Sequence, residues 1–153
     1  MTGWLVVHFI GVLLFLGNII TAAFWKVRAE IGKNPTVIHS TVRNVMVADY
    51  VFTVPGLLLI IVSGVSMAVQ AKLPMYGLNW LTVSLLLFAV TGLIWLTLLI
   101  PLQRAMIRHS AASVEKGAVT SAYRRASRLW DIFGIAATLL PLVILYFMVS
   151  KNF

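Results

Sequence analysis

The sequence predicts an all-α integral membrane protein, a single four-helix transmembrane bundle built from residues 1–153. Three observations carry that prediction. The chain is 61% hydrophobic and only 10% charged, whereas a soluble domain is about 45–50% apolar and about 25% charged. Four windows, at residues 3–25, 47–69, 78–102 and 130–149, each reach the roughly 20 apolar residues that a helix needs to cross a hydrocarbon layer of about 30 Å. None has the alternating pattern of a membrane β-barrel strand. Helices are then the way left to satisfy the backbone away from water.

The first window has no positively charged leading segment, is too long for the apolar core of a signal peptide, and runs into the basic stretch WKVR. These features predict a retained helix rather than a cleaved leader. His8, Gly11, Phe15 and Asn18 recur on one of its faces. The stretch GKNP at 32–35 signals a turn. The second window opens on Asp49, which shares a stripe with Thr53, Gly56 and Ser63. A short connection, AKLPMYG at 71–77, leads to the third.

The long connection after the third window is helix-permissive except around Gly117. It reads as an extension of that helix, a break, and an amphipathic lead into the fourth, with Ala122, Ala126, Leu129 and Trp130 on one face. The fourth window starts with Asp131, followed by Gly134, Thr138 and Pro141. Pro55, Pro101 and Pro141 fall within spans, where each frees a carbonyl and tends to kink its helix.

The formal charge of +8 is unevenly spread. Lys26, Arg28, Lys33 and Arg43 flank or occupy the first connection, and Arg104, Arg108, Lys116, Arg124, Arg125 and Arg128 the third. The other side has only Lys72 and Lys151. Positive loops stay in the cytoplasm, so both termini are expected on the outer, periplasmic side of a bacterial inner membrane. The basic run YRRASR at 123–128 suits that topology and anionic headgroups. There is no soluble domain to read nucleic acid, and no cysteine for a disulfide, a thiolate metal site or a covalently attached haem.

An ionisable group inside a span costs at least about 2.5 kcal/mol when charged, and so marks a functional candidate. The windows contain three: His8, Asp49 and Asp131. His8 is either a neutral hydrogen-bonding residue within the bundle or an iron ligand. At its depth the available axial partners are Met67 and Met148. Asn18 is a further polar residue on the His8 face. Asp49 and Asp131 each begin a window, where the positive end of a helix dipole favours an anion. They read as caps paired with Arg43 and Arg128, or as the lining of a proton or solute path.

The stretches WLVVHFIGVLLFLGN, FWKVRA, DYVFTVPGLLLIIVSG and LYFMVSKNF together resemble an uncharacterised bacterial family of predicted four-helix integral membrane proteins. That family is in turn distantly similar to the membrane domain of copper-resistance protein D and to the haem-binding bacterial protoporphyrinogen IX oxidases. In the latter, helix one carries a histidine followed by glycine, as His8, Gly11 and Gly17 do here, and Lys151 resembles a lysine near that family's end. Departures are Leu16-Gly17 in place of a tryptophan–glycine pair, and a third span without histidine or lysine.

The resemblance implies haem b on His8 and a redox or electron-transfer role. Two alternatives stand beside it. One is a non-catalytic accessory or scaffold subunit, packed through Gly11, Gly56, Gly64 and Gly92 against other membrane subunits or a second copy of itself. The other is a permease for a metal or small solute, with Asp49 and Asp131 along the path. In each case the lipid bilayer is the partner and nucleic acid is not.

Overall fold

The computed structural model describes residues 1–152. They form four long rods. Helix α1 (Thr2–Ile31) is the first; α2 (Pro35–Ala48) and α3 (Val54–Gln70) make the second; α4 (Trp80–Ile94) and α5 (Ile100–Lys116) the third; α6 (Ser121–Ser150) the fourth. All four are long and apolar enough to cross a membrane. No strand occurs among the described residues.

Local chemistry sets the rod ends. Asn34 caps α2 by accepting from the Thr36 amide at 3.0 Å, with Pro35 at the first helical position, where its missing N–H costs nothing. Asn79 and Thr82 form a reciprocal capping box at the start of α4, with bonds of 3.0 and 3.1 Å. Gly117 ends α5 at φ 70°, the left-handed conformation that glycine adopts without penalty, and Thr120 caps α6. The rods outrun the apolar windows, by as much as fourteen residues where α5 continues past residue 102 to Lys116. Hydropathy marks only where a helix faces lipid. The extensions are amphipathic and stay helical until a glycine or a cap stops them.

The second and third rods are each interrupted by one wide turn, Asp49–Thr53 and Trp95–Leu99, in which the chain bonds five residues back, Val54 to Asp49 and Ile100 to Trp95. In both, a proline follows immediately, at Pro55 and Pro101. Proline clashes with the carbonyl four residues behind it and offers no N–H in return, so widening the preceding turn relieves the conflict. The widened turns re-aim the residues that open them, Asp49 and Trp95. Such turns are frequent at functional sites.

Around the bundle α1 packs on α3, α2 on α5, and α4 and α5 on α6, while α1 and α6 touch only sparsely. At the terminal half the backbones of α1 and α3 meet directly. A Cβ built on Gly11 would lie 2.9 Å from the Gly56 carbonyl oxygen, and one on Gly56 2.9 Å from that of Gly11. Small residues substitute here for a hydrophobic driving force that lipid does not supply. The basic half holds the hydrophobic core, with Ile38, Val42, Val45, Met106, Tyr123, Ala126 and Trp130 buried together. Elsewhere large apolar side chains point outward, Leu13 at 72% exposure and Leu58 at 58%, as a surface solvated by lipid requires.

Candidate functional site

His8 is seated between α1 and α3. Its Nδ1 lies 3.0 Å from the Ser63 hydroxyl, and its Cε1 edge lies against Gly64. The Ser63 hydroxyl donates to the Leu59 carbonyl, so the histidine nitrogen is the donor of the pair and Nε2 keeps its lone pair. That tautomer is the one an axial ligand needs. The surroundings, however, do not fit a haem held between these helices. One turn below His8 the two backbones are in contact at Gly11 and Gly56, which leaves no slot for a macrocycle. Met67 and Met148 are half-buried on α3 and α6, and neither makes a described contact with the ring. His8→Ala is therefore expected to lower stability by about 2 kcal/mol through lost packing and one lost hydrogen bond. Unfolding in mixed micelles measures it.

Three turns below His8 a polar knot joins α1, the second rod and α5. The Asp49 carboxylate, 6% exposed, accepts from Asn18 Nδ2 at 2.8 Å and Thr53 Oγ1 at 3.0 Å through one oxygen. Its other oxygen accepts from Gln103 Nε2 at 2.6 Å. Three donors from three segments hold a carboxylate that has no ion-pair partner among the described residues. A buried carboxylate needs such hydrogen bonds to be tolerated at all.

A second knot joins α1 to α6. The Lys26 ammonium, 1% exposed, donates to Asp131 Oδ1 at 2.6 Å and Ser127 Oγ at 2.7 Å, and lies 3.1 Å from Glu30 Oε1. It sits 5.0 Å from the centroid of the Trp130 ring. Ser127 and Tyr123 in turn donate to Glu30 at 2.6 and 2.8 Å. Each ammonium proton has an acceptor, as a buried ammonium requires.

Between the two knots, where α1 and α6 stand apart, lies a cavity of about 510 Å³. Apolar groups form most of its wall, among them Phe15 from α1, Gly92 and Trp95 from the third rod, and Ala137 from α6. Its polar groups are Asp49, Gln103, Trp130 and Asp131, with Thr91 and Thr138. Ile20, Ile135 and Leu139, 54–62% exposed, stand at its edge, so the cavity opens sideways on the lipid-facing surface. Two fully buried polar atoms of lining residues, the Gln103 Oε1 acceptor and the Trp130 Nε1 donor, have no hydrogen-bond partner among the atoms of the described residues.

Of the residues singled out from the sequence, Asn18, Asp49 and Asp131 converge on this region, while His8, Met67 and Met148 lie towards the other end. Neither aspartate caps the start of an α-helix. Asp49 follows α2 without a break and Asp131 lies ten residues into α6, because a window's apolar start is not the helix's start. Nor do Arg43 and Arg128 pair with them, since both ion pairs among the described residues belong to Lys26. Lys26 itself is a buried structural cation rather than a loop charge. The signal was its position. It continues the face of His8, Gly11, Phe15, Asn18 and Ala22 by one more turn, and Glu30 follows four residues on. Gln103 carried no comparable signal.

Four apolar rods, lipid-facing hydrocarbon and a polar interior define a small polytopic integral membrane protein. Residues 4–152 match the family described as predicted integral membrane protein DUF2269, and the chain belongs to that family. No curated protein and no solved structure matches it.

Proposed function

We propose that this protein binds a lipid-soluble small molecule, taken from the bilayer through the lateral opening between α1 and α6. The observation that carries this reading is the cavity itself, apolar along Phe15, Trp95 and Ala137 and carrying the Asp49 and Asp131 carboxylates in its wall. Ligand sites are mostly apolar clefts of about 300–1,000 Å³ with a few convergent polar groups, and this cavity has that size and balance. The ligand is an amphiphile whose apolar body lies along Phe15, Trp95 and Ala137, with a head that hydrogen-bonds at the level of Asp49 and Trp130.

This is the solute-binding alternative of the sequence rather than the haem one, since both aspartates line the cavity and His8 does not. In the accompanying topology the basic end faces the cytoplasm of a bacterial inner membrane, so the cavity lies in the cytoplasmic half of the bilayer.

Gly92→Leu tests the reading. A Cβ at Gly92 meets nothing within 4 Å, and the residue lines the cavity, so leucine fills the space without forcing the backbone. Leucine is also the better helix former by about 0.8 kcal/mol. Native mass spectrometry of protein released from membranes should find a bound small molecule in the wild type, absent from Gly92→Leu at equal folding. Identical spectra for the two would sink the proposal.

A further inference from the structure

We infer that the cavity selects an organic cation, such as a lipophilic amine in its protonated form. This rests on the reading of the cavity as a ligand site and names the ligand's charge and head group. The cavity wall carries two carboxylates, Asp49 and Asp131, and no basic side chain. The nearest ammonium, Lys26, is fully engaged by Asp131, Ser127 and Glu30. Across the two knots one ammonium faces three carboxylates, so the region is short of positive charge. Asp49 is where the deficit is greatest, because Asn18, Thr53 and Gln103, which bond it, and the Trp95 indole beside it are all neutral donors.

The Gln103 amide reaches Asp49 through its Nε2, so the carboxylate in the cavity wall is held by hydrogen bonds without a countercharge. An ammonium supplies that countercharge, whereas a second carboxylate or phosphate head would be repelled. Aromatic faces complete the environment that a desolvated cation prefers. The Trp95 indole also approaches the Asp49 carboxylate, and Phe15 lies across the cavity. The Trp130 ring already serves Lys26 in this way, so the same chemistry operates in the neighbouring knot.

The test compares phenylbutylamine with phenylbutanol, which share size and apolar body but differ in charge. Binding is measured by equilibrium dialysis on the full chain in lipid nanodiscs, with empty nanodiscs subtracted. The amine should bind about tenfold more tightly than the alcohol, the difference that one charge-assisted or cation–π contact gives. Asp49→Asn should abolish that preference while leaving alcohol binding in place. Should Asp49→Asn fail to fold, Trp95→Leu provides the second check, since it keeps the apolar wall but removes the aromatic face, and should also narrow the ratio. Equal binding of amine and alcohol, both lost in Gly92→Leu, would overturn the cation assignment and leave the cavity reading standing. Binding of both that is unaffected by Gly92→Leu would overturn the cavity reading, and the cation assignment with it.

Discussion

Lys26→Met should destabilise the protein by about 3 kcal/mol, the low end of the cost of breaking a buried ion pair from one side. The ammonium is 1% exposed and serves Asp131, Ser127 and Glu30 at once. Methionine fills the volume and supplies none of the donors. The loss stays near the low end because the Asp131 and Glu30 side chains are 41% and 25% exposed, so each can turn outward and recover some solvation. A double variant, Lys26→Met with Asp131→Leu, should regain part of the loss, since it removes the stranded carboxylate along with its partner. Reversible unfolding in mixed micelles gives both values. A single variant within experimental error of the wild type would mean that the knot does not hold α1 to α6.

Gly56→Leu should cost a similar amount, about 3 kcal/mol, for a steric reason rather than an electrostatic one. A Cβ there meets the Gly11 carbonyl oxygen at 2.9 Å and the Phe15 amide nitrogen at 3.0 Å. Both are backbone atoms that cannot swing aside, so α1 and α3 must part. Separation would also strain the His8–Ser63 hydrogen bond one turn above and the Asn18–Asp49 bond two turns below. Gly92→Leu is the internal control. It makes the same change of residue in a helix where the added carbon has open space, and it should cost less than about 0.5 kcal/mol, as substitutions outside packed contacts do. A comparable loss at the two sites would show that glycine content, not helix contact, sets the penalty.

Much of the fold was legible because lipid imposes a simple rule. Four windows of unbroken hydrocarbon can only be helices that cross, and glycine at 117 could only be a break. The inward faces were equally plain where polar or small residues recurred, as in the stripe from His8 to Asn18 and the one from Asp49 to Ser63. The rod ends were less visible, because α2, the far half of α5 and the start of α6 are amphipathic and carry no membrane signature.

The site was half legible. Asn18, Asp49 and Asp131 were recognisable as polar groups in an apolar setting, but their partners were not. Lys26 looked like one more basic residue beside a loop until α6 brought Asp131 and Ser127 against it. Gln103 is an uncharged residue just after a proline, and only the re-aiming of the chain by the widened turn before Pro101 gives it a role. His8 drew attention as the lone imidazole of the first span. Its serine partner and the glycine contact beneath it make it part of the α1–α3 seam, remote from the space that a ligand could fill.

That space is the centre of the account, and tryptophan fluorescence reports on it most directly, since Trp95 and Trp130 line the cavity. With Trp4, Trp25 and Trp80 changed to phenylalanine, the protein in nanodiscs is titrated with a brominated fatty alcohol, whose bromine quenches an indole only on contact. Saturable quenching of the two remaining tryptophans is expected, and its loss in Gly92→Leu. Quenching that rises linearly with the alcohol in the membrane, and equally in both proteins, would mean that the indoles meet only bulk lipid, and would contradict the ligand site.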